Sequence, residues 1–204
     1  MQTVRDRRDR CPGAYRPWQA DDGFLVRLRL IGGHITSDSL RRLVDVAETF
    51  GDGRVHVTNR ANLQVRGFPG RDGRLDPAAR AALHATGLVP THTHELVRNV
   101  MVSPQSGLAG GRADLRGIAA DLDRRLCADP GLADLPARFL FVFDDGRGDL
   151  VDRTCDLGLV AIDGQVGQLR IGAGWGEVIP LSSAAARLVA LAAAFARARG
   201  TGPT

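Results

Sequence analysis

In the run Val57-Thr58-Asn59-Arg60-Ala61-Asn62-Leu63-Gln64-Val65-Arg66-Gly67, polar and apolar residues alternate with the two-residue period of a strand. Read as one extended segment, it turns Thr58, Arg60, Asn62, Gln64 and Arg66 to one face and Val57, Ala61, Leu63 and Val65 to the other. The polar face carries guanidiniums, amides and a hydroxyl, with no carboxylate in the run to neutralise them. Each Arg presents a rigid fork of donors that matches a carboxylate, so the face suits a flat ligand rich in carboxylates. A solvated sheet edge is the plainer alternative.

Upstream, Gly23 to Ile31 reads as a strand with Val26, Leu28 and Leu30 on one face and Leu25, Arg27 and Arg29 on the other. Gly32-Gly33 ends it. Thr36, Ser37 or Asp38 can cap a following helix, whose stripe is Leu40, Leu43, Val44, Ala47 and Phe50. Gly51-Asp52-Gly53 stops the helix, and strand signals resume from Val55 to about Phe68, with a break near Asn59. Asp76-Pro77 opens a second helix ending at Gly87, with a further strand expected after it. This order predicts an α+β fold that begins with a ferredoxin-like split βαβ unit.

A second α/β unit is expected from His94. Glu95 to Val102 reads as a strand and Ser103 to Gly111 as a loop. Asp114 to Cys127 reads as a helix with Leu115, Ile118, Ala119, Leu122 and Leu126 inward. Phe139 to Phe143 reads as a buried strand. Leu157 to Ile162 and Val166 to Ile171 form a hairpin around Asp163-Gly164, and Ser182 to Arg199 is an Ala-rich helix. The expected organisation is a charged arm at 1–17, the ferredoxin-like unit at 18–93 and the second unit at 94–200.

The 204 residues suffice for a real core, and apolar content is ordinary. No run is expected to reach the apolar length a membrane span needs, and the charged start lacks an apolar signal segment. Every basic side chain apart from histidine is Arg, so neither a Schiff-base lysine nor a P-loop lysine is available. A net charge of +4 permits an anionic partner. Beyond Arg5 to Arg10 there is no Arg run interleaved with aromatics, so nucleic acid is not the expected partner. Cys11, Cys127 and Cys155 are odd in number and scattered, which argues against a disulfide framework or a self-contained metal site. The cytoplasm is the expected compartment.

Several motifs read blandly. His92-Thr93-His94-Glu95 resembles a metal trio but is a polar loop before a strand. Asp144 to Asp149 reads as a turn, because its oxygens lack a calcium-loop spacing. Gly172, Gly174 and Gly176 are not followed by a helix, which excludes a dinucleotide fold, yet they let backbone approach a flat ligand. His34 and His56 are read as structural.

Three further pieces accompany the Arg60 run: Arg98-Asn99 leading to Ser103-Pro104, Arg138 before a buried strand, and the Gly172–Gly176 stretch. In this order, and together with Cys11-Pro12-Gly13, Asp22-Gly23 and Gly32-Gly33, they resemble the nitrite and sulfite reductase family, with its corrin-pathway relative precorrin-3B synthase. The resemblance implies an oxidoreductase acting at a tetrapyrrole, either a precorrin in cobalamin biosynthesis or sirohaem in a reductase. It implies catalytic roles for Arg98 and Arg138, and tetrapyrrole binding by Thr58, Arg60, Asn62, Gln64, Arg66 and Asn99. Arg138 stands where the family usually has Lys, and Leu140 where the reductases carry a second Lys, which favours the synthase. The family's four-iron, four-sulfur cluster is held by four Cys of a second half that this chain does not match. The chain is therefore expected to correspond to the N-terminal half, either as a split subunit with a separate C-terminal half or as a truncated product, and to hold no cofactor alone; a non-catalytic tetrapyrrole-binding remnant is the alternative.

Overall fold

The computed structural model describes residues 11–199. The Arg5 to Arg10 arm lies outside the described residues.

The first unit contains β1 (Trp18–Ala20), β2 (Gly23–Leu28), α1 (Ser37–Phe50), β3 (His56–Val57), β4 (Leu63–Phe68), the small hairpin β5 (Gly70–Arg71) and β6 (Arg74–Leu75), and α2 (Pro77–Ala85). Strands order β1-β2-β4-β3, each pair antiparallel. Alternation in β2 buries Phe24, Val26 and Leu28, which meet Leu63, Val65 and Phe68 of β4. Thr36 caps α1 by accepting from the Ser39 amide, and Asp76 caps α2 by accepting from Ala78, with Pro77 in the first turn. The buried stripe of α1 is Leu43, Val46 and Ala47, while Leu40 and Val44 are exposed, so the helix is rotated from the expected stripe.

Among the described residues, no strand of this sheet follows α2. Its outer edge is taken by β1, which pairs antiparallel with β2. After Pro90 the chain makes a turn in which the Val97 amide donates to His94 O, so the expected strand from Glu95 shortens to β7 (Val100–Val102).

The second unit adds α3 (Arg116–Ala128), β8 (Phe141–Asp144), β9 (Leu157–Ala161), β10 (Val166–Ile171), β11 (Gly174–Pro180) and α4 (Leu181–Arg199). The strand order is β11-β10-β9-β8-β7, with β7, β8 and β9 parallel and the other pairs antiparallel. The expected hairpin at Asp163-Gly164 is present. The glycine stretch is a turn at Gly172 followed by edge strand β11. Phe139, Phe141, Phe143, Leu157, Leu159 and Leu169 face α3 and α4 in one core. Helix α4 is long and apolar enough by composition to cross a membrane, which corrects the expectation that no run is. Here it lays Leu181, Ala184, Ala185, Leu188 and Ala192 into the core.

A 3-10 turn at Ile31–Gly33 joins the units. Gly32 has φ 62, and a Cβ there would lie 2.9 Å from Val102 Cγ2 on β7. Only a residue without a side chain permits that approach.

Candidate functional site at the junction of the two units

The run that begins the sequence reading is not one strand. The Thr58 amide donates to Asn62 O at 2.9 Å, the Ala61 amide donates to Thr58 O at 3.1 Å, and Ala61 has φ 54. Residues 58–62 therefore reverse the chain between β3 and β4. A left-handed Ala is costly, and the turn is held by the Thr58 hydroxyl, which accepts from the Asn62 amide at 3.2 Å. The five polar side chains consequently do not share a face.

Each has its own surroundings. Asn62 is 2% exposed and its Oδ1 accepts from the Leu30 amide at 2.9 Å. Gln64 Oε1 accepts from Arg27 Nη2. Arg66 donates through Nε and Nη2 to Asp22 at 2.9 and 3.2 Å, a carboxylate supplied from 44 residues away. That guanidinium holds the Asp22 carboxyl below its ordinary value.

Arg60 sits at the tip of the turn and reaches the second unit, where Nη1 donates to Arg138 O at 3.3 Å. Arg153 comes back the other way, with Nη2 donating to Asn59 O at 2.7 Å. The Arg60 and Arg153 side chains thus cross the junction to backbone carbonyls, one of them that of Arg138. Among the described residues none of the three has a carboxylate within salt-bridge distance, while Arg42, Arg66, Arg98, Arg116, Arg124, Arg125, Arg147 and Arg187 all do. Arg153 carries no signal in the sequence, because its partner lies 94 residues away.

Arg98 does not join this group. It is buried against α3, where Asp123 takes both prongs of its guanidinium, and it lines a cavity of about 570 Å³ with Arg29, His34, Leu88 and Arg116. Asn99 is structural in its contacts, since Nδ2 donates to Leu96 O and Ala137 O. Leu140, standing where the reductases carry Lys, is buried in an apolar cluster with Met101 and Val142.

The remaining motifs are occupied by local partners. His94 uses Nδ1 with the Thr93 hydroxyl and Nε2 with Asp129 O, and His92 packs edge-on against Tyr15. Glu95, placed in the polar trio by sequence, accepts from the Ala14 and Tyr15 amides at 2.7 and 2.9 Å. Asp144, Asp145 and Asp149 are close, but Asp144 accepts from the Gly146, Gly148 and Leu150 amides and Asp145 pairs with Arg147.

An iron–sulfur cluster does not fit the described residues. Four thiolates are needed, whereas Cys11, Cys127 and Cys155 form no disulfide and do not come together in one group among the described residues. Burial pushes the Cys127 and Cys155 thiols up, which opposes the thiolate form. Arg60, Arg138 and Arg153 have no ion-paired carboxylate among the described residues.

Comparison with known proteins agrees with this architecture. Residues 18–77 match the family model described as the Nitrite/Sulfite reductase ferredoxin-like half domain. Ferredoxin–nitrite reductase of Leptolyngbya laminosa is 31% identical over 147 residues, covering 68% of this chain and 28% of that protein. Precorrin-3B synthase of a Sinorhizobium species is 43% identical over 62 residues, covering 30% of this chain and 14% of that protein. The structure of the Mycobacterium tuberculosis NirA protein superposes with a TM-score of 0.71 at 21% identity, covering 91% of this chain and 39% of that one, which shows a common fold. The chain thus spans less than a third of the curated relatives it matches. Residues 18–77 thus carry the ferredoxin-like half domain of the nitrite and sulfite reductases, and the chain is similar to those enzymes and to precorrin-3B synthase.

Proposed function

We propose that this chain forms one wall of a tetrapyrrole site in a precorrin-3B synthase-like oxidoreductase. The observation that carries the reading is that Arg60 and Arg153 bridge the two units through the Arg138 and Asn59 carbonyls, with no ion-paired carboxylate on either among the described residues. Guanidiniums without an acidic partner are open to an anion, and forked donors match the carboxylates of a macrocycle. Arg60 and Arg138 are assigned the carboxylate contacts. Arg98 and Asn99 act from behind, Arg98 through the wall it forms with α3 and Asn99 through its bond to Ala137 O. The synthase reading is favoured over a sulfite or nitrite reductase by Leu140, because a cation at that position would be buried among Met101 and Val142. The cluster-bearing chemistry that the family resemblance implies belongs to a separate half.

Absorbance titration of the purified chain with uroporphyrin, a soluble polycarboxylate tetrapyrrole, tests the reading. Arg60→Ala should weaken binding by about 1.5–3 kcal/mol if the contact is shielded from water. Unchanged affinity in a well-folded Arg60→Ala chain would remove the assignment.

A further inference from the structure

We infer that Arg170 and Trp175 form a separate subsite for a planar, conjugated, carboxylate-bearing ligand on the open face of the second sheet. It deepens the tetrapyrrole reading but rests on its own residues. Strand register places Met101, Val142, Gly158, Arg170 and Trp175 in one row across all five strands. Phe141, Phe143, Leu157, Leu159 and Leu169 alternate with that row and fill the helix-covered core. The row therefore stands on the opposite face. Met101 and Val142 are covered there by Leu140, Leu150 and Cys155. Gly158 then contributes no side chain, and a Cβ on it would lie 3.2 Å from both Arg170 Cβ and Cys155 Sγ.

Arg170 is only 9% exposed, yet among the described residues its side chain makes no hydrogen bond and no ion pair. Its recorded partner is the Trp175 ring, with the guanidinium carbon 5.6 Å from the centroid. A guanidinium has five N–H donors, and a ring face at this distance satisfies none of them as a carboxylate would. Its guanidinium nitrogens are not fully sealed from solvent and lie by the Trp175 ring. Trp175 is 55% exposed on the outermost strand. Gly174 and Gly176 flank it, and the Gly172 turn beside it leaves open space. An exposed indole next to a sheltered, hydrogen-bond-poor cation offers a stacking plane and a forked donor together. A ring that carries a carboxylate uses both at once.

The test uses the full chain with Trp18→Phe, which leaves Trp175 as the sole tryptophan, and two probes. Mellitate is a single aromatic ring bearing carboxylates; uroporphyrin is a whole macrocycle. Mellitate should alter Trp175 fluorescence, Arg170→Gln should weaken that response about tenfold, and Arg60→Ala should leave it unchanged. Circular dichroism checks the fold, and Arg170→Lys, which keeps the charge without the fork, should give an intermediate loss. A mellitate response that is absent, or equal in folded Arg170→Gln and Arg170→Lys chains to that of the parent, overturns the subsite. Uroporphyrin binding that depends on Arg60 but not Arg170 also overturns it, while leaving the junction site standing. Mellitate binding that needs Arg170, without any uroporphyrin binding, supports the subsite and rejects the junction reading.

Discussion

Arg98 and Asp123 form a two-pronged ion pair between the entry to β7 and helix α3, with Nε to Oδ1 at 2.6 Å and Nη2 to Oδ2 at 2.9 Å. The pair is largely sheltered, so Arg98 is committed to holding the helix against the sheet as well as lining the cavity beside it. Removing one partner of a buried pair strands the other charge. Asp123→Ala should therefore cost about 3–5 kcal/mol in urea unfolding, far more than a surface pair. A loss below 1 kcal/mol would show that water already screens the pair.

Glu95 fastens the segment before β1, through bonds to Ala14 and Tyr15 that span about eighty residues of chain. Glu95→Ala leaves two amides without that acceptor. We expect about 1–3 kcal/mol of destabilisation and faster proteolysis between Cys11 and Arg16, mapped by mass spectrometry of the fragments. Cleavage at the wild-type rate would count against the clasp.

Asn62 separates architecture from ligand binding. Its Oδ1 serves the Leu30 amide at the start of the unit junction. Asn62→Ala should lower stability by about 1–3 kcal/mol in thermal or urea unfolding. A chain of unchanged stability and reduced uroporphyrin affinity would return Asn62 to the ligand-contacting residues.

Acid sensitivity should follow two loop carboxylates. The Arg116 guanidinium, hydrogen-bonded to Asp114, lowers that carboxyl from 3.8 to about 2. Arg147 likewise holds Asp145 below its ordinary value. A depressed carboxyl contributes stability that is full above its unfolded pKa and disappears as pH falls through the folded one. Stability should therefore be insensitive to these groups at neutral pH and decline as pH drops from about 4 toward 2. The Asp145→Asn chain should be less stable than wild type at pH 7 and show a shallower decline over that window. Urea midpoints at stepped pH values would reveal parallel curves if the pairing is unimportant.

Local pattern accounts for much of what was legible. The alternation of Phe24, Val26 and Leu28, the caps at Thr36 and Asp76, and the hairpin at Asp163-Gly164 depend on neighbours a few residues away, so a linear reading finds them. The same is true of the α3 stripe through Leu115, Ala119, Leu122 and Leu126. Motif order likewise led from the Arg60 run, Arg98-Asn99 and the glycine stretch to the family that the comparisons found.

Pairing over distance was decided by the folded chain. Ala61 turns left-handed and cuts the apparent strand in two, because Thr58 and Asn62 close a loop whose hydrogen bonds outweigh a two-residue hydrophobic alternation. Whether an arginine faces a carboxylate depends on residues brought from elsewhere: Asp22 neutralises Arg66, Asp123 neutralises Arg98, and Arg60 and Arg153 meet only backbone carbonyls. Residue type and order set which side chains can bind an anion. Which of them have no acidic partner is a property of three-dimensional proximity, since electrostatic and hydrogen-bond energies depend on distance in space and not along the chain.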